Sequence, residues 1–457
     1  MNLPMHLSLI DEKDDVLYVP AVHFRRWVEQ RSFPKLVMFG THEQQCRVHP
    51  HPDQKNEYMI STQLAKKLLL PDDRAYYVIE RDHTLRIGPV VGILTAGFTP
   101  ASARPIGERS LMFAKMLATS AKMGIAAFVF GPHHIDWNNR TIKGYIYMKN
   151  RWQQITFPFP DVIYDRLPNR KSETMDVSSK TKDRFMTEHS ITWFNPGFFD
   201  KWSIHQLLLN SDSAKTYLPD TITSPDEQSI EDFLDKYGSV YVKPSNGSLG
   251  IGIQQLIKKK GDPHYYCRFR TGTRNRLRRY TSLRRLLKRQ FSKGMDSYMA
   301  QRGIHLLSWN GNPIDFRVHT NKDRSGRWQV SAIAAKQAGE GSVTTHVTSG
   351  GRVLSIQELF HEIGKPKAIV NAIQKAALDL SESLSENIKG LIGEIGFDLG
   401  VDEDDKVWMF EANSKPGRSI FIHPDMKGYE HKTRSLPFEY CIYLFEQSRK
   451  QTESVIK

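Results

Sequence analysis

Two segments far apart in the chain carry residue types that could manage a phosphate and a divalent cation together. The first, VYVKPSNGSLGIGI at 240–253, runs from a β-branched and aromatic strand into Lys243 and Pro244, then into a loop with Gly247, Gly250 and Gly252. Clustered glycines let backbone N–H groups approach an anion, because no Cβ intervenes and positive φ is open to them. A lysine at the strand end adds a compact positive charge. The dinucleotide pattern GxGxxG is missing there, and GxxxxGK followed by Ser or Thr occurs nowhere. Alone, the segment reads equally well as a glycine-rich hairpin with a solvated lysine. The second, IGEIGFDLGVDEDDKVWMFEANSKPG at 392–417, reads as two strands joined by an acidic turn around Glu403, Asp404 and Asp405. Period-two alternation puts Glu394 and Asp398 on one face of the first strand, and Glu411 and Asn413 on one face of the second. Paired antiparallel, they bring Asp398, Glu411 and Asn413 together, an oxygen-donor set that suits Mg²⁺ alongside substrate phosphates. Acids that merely face water or pair with arginines are the alternative, which fits Glu411 less well because four apolar residues precede it. Between the two segments, IDFRVH sets Asp315 and Arg317 two residues apart on a candidate strand. SAIAAKQAG places Lys336 at the end of another. Either of these alone is explained by an exposed ion pair.

These residues need a framework, and the composition allows one. The 457 residues are 39% hydrophobic and 25% charged, with a formal charge of +14. That mix excludes wholesale disorder and a collagen-like fibre, and the length leaves room for two to four domains of roughly 150 residues. The longest apolar stretch, from about Ile87 to Phe98, is well short of the roughly 20 residues that span a bilayer. The start, MNLPMHLSLIDEKDD, lacks the basic and apolar regions of a secretory signal. The expectation is a cytoplasmic protein without membrane insertion. Cys46, Cys267 and Cys441 have no paired spacing, so they read as inert thiols in a reducing compartment. The histidines of HPHP at 49–52 and the pair His133 and His134 read as surface or turn features.

Along the chain, residues 1–85 form a small β-rich module with a helix candidate at STQLAKKLLL and β runs at AYYVIERD and TLRIGPVVGILT. From Gly88 the pattern is strand, helix, strand. GPVVGILT is followed by helical spacing through Leu111, Met112, Met116 and Met123, then by IAAFVFG and PDVIYDRL, which points to a parallel sheet with covered faces. Residues 169–189 are polar and read as a connector. SPDEQSIEDFLDKYG reads as a helix capped by Ser224 and ended by Gly238.

The order of these parts resembles the ATP-grasp ligases: strand lysine and glycine loop, D-x-R, strand lysine, then D…E-x-N. The chain most resembles the spore-coat-associated YheC/YheD family, through IGPVVGILT, PDVIYDRLPNR, WFNPGFFDKW, YVKPSNGSLGIGI, PIDFRVH, IGEIGFDLGVD and FEANSKPGRS. The likeness spans roughly residues 86 to 440. It implies an α/β fold with α+β lobes: the N-terminal module, a Rossmann-like pre-ATP-grasp domain at 86–195, and an ATP-grasp domain at 196–457. Within the last, the nucleotide lobe would cover about 215–305 and the metal and catalytic lobe about 306–440. By the same resemblance, Lys201 and Lys243 sit near the α- and β-phosphates of ATP. Ser245, Gly247, Ser248, Gly250 and Gly252 belong to a loop that closes over the phosphates. Arg302 and Ile304 meet adenine at the hinge through backbone groups, and Asp315 contacts ribose. Arg317 and Lys336 neutralise the transferred phosphoryl group, while Asp398, Glu411 and Asn413 hold two Mg²⁺ ions. The hinge departs from many relatives, which carry an acid where this chain has Arg302.

The implied activity is a carboxylate–amine or carboxylate–thiol ligase working through an acyl phosphate, with its acyl and acceptor substrates unidentified. Ser414, Lys415, Arg418 and THVTSGGR are candidates around the acyl site. The alternative is a non-catalytic spore-associated protein that retains the pocket, and spore-coat components are partners by resemblance alone. A further stretch, residues 267–292, holds ten Lys and Arg residues between Arg268 and Arg289. Leu283, Leu286, Leu287 and Phe291 form an apolar stripe, so the arginines read first as the solvent face of an amphipathic helix. Contact with an acidic substrate comes second, and nucleic acid third.

Overall fold

The computed structural model describes residues 4–448 apart from 31, 82, 246–250, 273, 346–349 and 361–365. Gly247, Ser248 and Gly250 of the glycine loop and most of THVTS therefore lie outside the described residues. The strands form four sheets in chain order. Eight strands between Met5 and Gly88 make the first, with helices Ala21–Gln30 and Thr62–Leu68. Ser61 caps the latter by accepting the Leu64 N–H.

In the second sheet Val90–Leu94, Ala126–Phe130, Val162–Asp165 and Thr192–Phe194 are parallel neighbours. Helix Ser110–Lys122 crosses between the first two. The first three of these strands are buried along their whole length, which requires cover on both faces. One face packs with the first sheet, where Phe128 and Phe130 share a core with Leu7, Trp27 and Phe39. The other packs against Phe113, Met116 and Leu117 of the crossing helix and Phe438, Cys441 and Phe445 of the last helix, Lys427–Gln447.

The polar stretch 169–189 is not a connector: it holds helices Arg170–Glu173 and Asp176–Thr187. Only Ser178, Thr181 and Phe185 of the longer one are buried, a stripe too thin to stand out in the sequence. Phe185 is nevertheless fully enclosed, against Phe130, Trp137 and Phe159.

The third sheet spans Thr221 to Arg302 and is antiparallel throughout. Its helix Glu227–Tyr237 is capped by Asp226, not Ser224. The Asp226 carboxylate accepts the Ser229 N–H at 2.8 Å, while Ser224 sits at φ +46 in the preceding turn. Gly238 closes the helix at φ +69. The basic stretch also differs from the expectation. Helix Leu283–Gln290 does bury Leu283, Leu286 and Leu287, but six of the ten cations lie upstream on the hairpin Tyr265–Thr271 and Arg274–Tyr280. That hairpin turns beside Gly272 at φ +57, and its alternation outweighs any helical spacing.

The fourth sheet runs from Ser308 to Asn413. Helix Pro366–Asn387 lays Ile369, Ile373, Ala376, Ala377, Leu380 and Leu384 on one face of it, joined by Ile204 and Leu208 of helix Lys201–Leu209. Ile314, Phe316 and Val318, then Ile395, Phe397 and Leu399, answer from the strands. Every alternate residue consequently faces the other way, and those are the polar ones.

Candidate functional site

Antiparallel register lines the polar residues of the fourth sheet into rows. Asp315 pairs with Lys336, Arg317 with Asp398, and Asp398 with Glu411. One step along, His319 pairs with Gly396 and Gly396 with Asn413. Glu411 reaches this face through an irregularity: the register shifts between Asp398 and Leu399, leaving Phe410 as an extra residue. Such a bulge lets two successive side chains face the same way. Phe410 and Glu411 both line the cleft, while Met409 and Ala412 stay in the core.

The first rows form a continuous charged chain. Lys336 Nζ lies 2.8 Å from Asp398 Oδ1 and 3.1 Å from Asp315 Oδ1, and Arg317 Nη2 lies 3.0 Å from Asp398 Oδ2. The Thr345 hydroxyl donates to the other oxygen of Asp315. Burial raises the Asp315 carboxyl against the pull of Lys336. Burial alone would lower the Lys336 ammonium, but Asp315 and Asp398 outweigh it and its pKa is raised. In the next rows His319 is fully buried, with neither ring nitrogen hydrogen-bonded among the described residues. Burial, then the positive charges of Arg317, Arg418 and Arg166, holds it well below the usual imidazole range. At the far end Glu394 is shared by Arg166 at 2.9 Å, Arg418 at 3.2 Å and the Tyr164 hydroxyl. Lys415 reaches Asp165 at 2.7 Å, and Ser414 donates to the Gly197 carbonyl. Lys415 therefore ties the fourth-sheet lobe directly to the second sheet, and Arg418 joins it through Glu394, which Tyr164 and Arg166 also hold.

The third sheet supplies the opposite wall. Val240 and Val242 point into its core, so Tyr241 and Lys243 face the cleft. Lys243 Nζ donates to Gln301 Oε1 and stands 5.7 Å from the centre of the Phe410 ring. Burial, then the neighbouring Lys201, pulls the Lys243 ammonium down to about 8, against the pull of Glu411, Asp398 and Asp315. Lys201 Nζ lies 3.7 Å from Glu411 Oε1. At the hinge the Arg302 guanidinium lies over Tyr237 at 5.0 Å and Trp408 at 5.1 Å, so it clasps an aromatic from each wall. A side chain at Gly303 would come within 2.8 Å of the Ser239 carbonyl oxygen. That spacing requires glycine beside the hinge.

Between the walls is a cavity of about 320 Å³. Of the residues singled out above, Lys201, Lys243, Arg302, Ile304, Asp315, Lys336, Asp398 and Glu411 line it. Arg317 stands directly behind Asp398, and Asn413 is one row beyond Glu411 on the same sheet face. Ser245 and Gly252 flank the loop segment outside the description, Gly252 at φ +79. The sequence reading missed Tyr241, Gln255, Arg268, Gln301 and Phe410 as lining residues, while Thr345, which also lines the cleft, opens the acyl-site candidate segment THVTSGGR. Tyr241 was open to detection, since alternation puts it on the face of Lys243. The His133 and His134 pair serves a turn: His134 Nδ1 accepts the Gly131 N–H, and burial lowers its pKa to about 4.

The model of the YheC/D-like ATP-grasp family matches residues 190–444. The chain belongs to that family. It is 40% identical over 423 residues to the endospore coat-associated protein YheD of Bacillus subtilis (strain 168), covering 91% of this chain and 92% of the relative. Endospore coat-associated protein YheC of the same organism is 23% identical over 373 residues, 78% and 98% of the two chains. Among solved structures, D-alanine–D-alanine ligase from Bacillus anthracis superposes with a TM-score of 0.45 at 12% identity, over 80% of this chain and 99% of that one, too distant to carry more. An ATP-grasp fold implies nucleotide binding. The donor set suits it: two lysines within Coulomb reach of each other line the cleft, a placement that favours an anion between them. No helix among the described residues is long and apolar enough to cross a membrane.

Proposed function

We propose that the protein is an Mg-ATP-dependent ligase that phosphorylates a carboxylate and joins it to an amine or a thiol. The observation that carries this reading is the convergence on one cleft of Lys201 and Lys243 with Asp398 and Glu411. Lys201 and Lys243 would bind the α- and β-phosphates, Arg302 and Ile304 would meet adenine through their backbones, and Asp315 would reach ribose. Asp398, Glu411 and Asn413 would hold Mg²⁺, which supplies charge neutralisation to the triphosphate when bound.

The chemistry needs cations more than nucleophiles. A substrate carboxylate oxygen attacks the γ-phosphorus. The bond from that phosphorus to the β–γ bridging oxygen breaks, and ADP leaves with the electron pair. An amine or thiol then attacks the acyl carbon, inorganic phosphate departs with the pair of the C–O bond, and the nucleophile's proton passes to solvent. The first step brings two anions together, and Arg317 and Lys336 offset their repulsion. The glycine loop 245–252 would exclude water from the acyl phosphate. No side-chain nucleophile is required. Association with the spore coat is proposed because both relatives are endospore coat-associated proteins.

One observation favours a second reading, a non-catalytic protein that keeps the pocket: both Asp398 oxygens are already held by cations. ADP release on adding candidate carboxylates and amines separates the two, with Glu411→Gln as control. Turnover lost in the variant is the expected result. ATP binding without turnover for any pair would leave the scaffold.

A further inference from the structure

The hairpin Tyr265–Thr271 and Arg274–Tyr280 is unused by the chemistry above, yet it carries the strongest charge anomaly in the chain. Residues 263–295 contain no Asp or Glu, and the ten cations from Arg268 to Arg289 amount to more than two thirds of the formal charge of +14. Their partners among the described residues are neutral: Arg268 meets Gln255, Arg270 the Gly272 carbonyl, Arg285 the Thr281 hydroxyl, and Arg278 the Phe269 ring. Uncompensated cations at this density attract an anionic partner at long range.

Three placements say which kind. Strand Arg274–Tyr280 is the last of its sheet, and no described residue pairs with its outer edge. An open edge is a template for an added strand, and like charge there repels a second copy of the same chain. Cross-strand pairing also runs in one row from Gln301 through Tyr241, Gln255 and Arg268 to Leu277. The first four line the cleft, and Leu277, 58% exposed, continues the row onto the edge strand. Finally, Asn275 Nδ2 donates to the Glu340 carbonyl at 3.0 Å, so the hairpin meets the fourth-sheet lobe next to the lining residues Ala338 and Ser342. Nucleic acid fits less well, because bases need free aromatic faces for stacking. Here Phe269 is buried, Lys258 and Lys259 lie over the Tyr265 and Tyr266 rings at 5.0 and 5.7 Å, and Tyr280 packs against the core of the lobe.

We propose that strand Arg274–Tyr280 is a docking edge for an acidic polypeptide, which adds to the sheet as a further strand and is thereby presented to the cleft as substrate. The substrate half rests on the ligase reading; the docking half does not. Arg274, Arg276, Arg278 and Arg279 are exposed and would pair with its carboxylates, while Leu277 offers an apolar contact between them.

The test uses the full chain without nucleotide and a fluorescent short poly-L-glutamate at low salt, read by anisotropy. The wild type binds. Arg274→Glu/Arg276→Glu/Arg279→Glu weakens binding by about tenfold or more, and the matching Lys variant retains it. Hydrogen exchange shows peptide-dependent protection of amides in 274–280. Undiminished binding by the Glu variant, an unprotected strand, or an oligonucleotide that displaces the peptide more effectively than poly-glutamate itself would overturn the docking edge. ADP release is measured separately with small carboxylates and with poly-glutamate. Turnover of the former without the latter removes the substrate assignment alone, and no turnover of either removes the ligase reading while the binding result stands.

Discussion

The two walls of the cleft hold their charges in opposite ways. On the fourth sheet Asp315, Lys336, Asp398 and Arg317 form a continuous chain in which each charge meets its opposite within 3.1 Å. On the third sheet Lys243 leans on a neutral amide, Gln301, and Arg268 on another, Gln255. Burial disfavours a charge that has no partner, and the Lys243 ammonium is accordingly pulled down to about 8 while that of Lys336 is raised. The difference teaches a division of labour. On one wall these four residues balance one another's charge, and their ion pairs fix geometry. The other stays short of negative charge, and a bound anion would complete it.

That contrast breaks first on the same substitution made in each wall. Lys336→Met strands the buried Asp315 carboxylate and takes from Asp398 one of its two cations, and it is expected to cost about 3–5 kcal/mol of stability, seen as a large drop in thermal midpoint. Lys243→Met removes an ammonium that contacts no carboxylate directly, so its midpoint should stay near that of the wild type while nucleotide affinity falls. Equal losses of stability would erase the distinction. Next in size, Glu411→Gln should lower turnover by about 10²–10³-fold with little change in melting, since Glu411 is partly exposed and its contact with Lys201 is long, at 3.7 Å.

A pH series sharpens the same point. The charged form of Lys243 is the one that would bind phosphate, and in the free protein it is lost above about 8. ATP affinity should therefore hold near neutrality and fall by up to about tenfold per pH unit above 8, with proton uptake on binding there. Because the unfolded lysine keeps its proton to a higher pH, the ligand-free protein should gain stability between pH 8 and the normal lysine range. Lys243→Arg should flatten both profiles, and a flat wild-type profile would place the ammonium outside the phosphate site. The smallest effect is expected for Arg302→Ala. Its stacking on Tyr237 and Trp408 contributes about 0.5–1 kcal/mol, and the backbone that would meet adenine is unchanged, so ATP affinity should shift only a few-fold.

The fourth sheet was far more legible than the third. Asp315, Arg317, Lys336 and Asp398 sit at period-two positions among apolar residues, and strand alternation alone puts them on one face. The strand–helix–strand of the second sheet follows from equally local spacing, whereas helix Pro366–Asn387 was not read from the sequence. The third-sheet wall depends on register between strands distant in sequence: Gln301, Tyr241, Gln255 and Arg268 become neighbours only once three pairings are set. The bulge that turns Glu411 to the cleft has no local signature, because it arises from mismatch with the Asp398 strand. Composition misled at 169–189 and at 267–280, where one buried phenylalanine and a two-strand alternation decide the structure.

The central claim is that both walls close on one magnesium-bound triphosphate. Its most direct test is the dissociation constant of ATP with and without Mg²⁺, for the wild type and for Glu411→Gln. Tightening by about tenfold or more in the wild type, most of it lost in the variant, is predicted. The same magnesium effect in both proteins, or none in either, would contradict it.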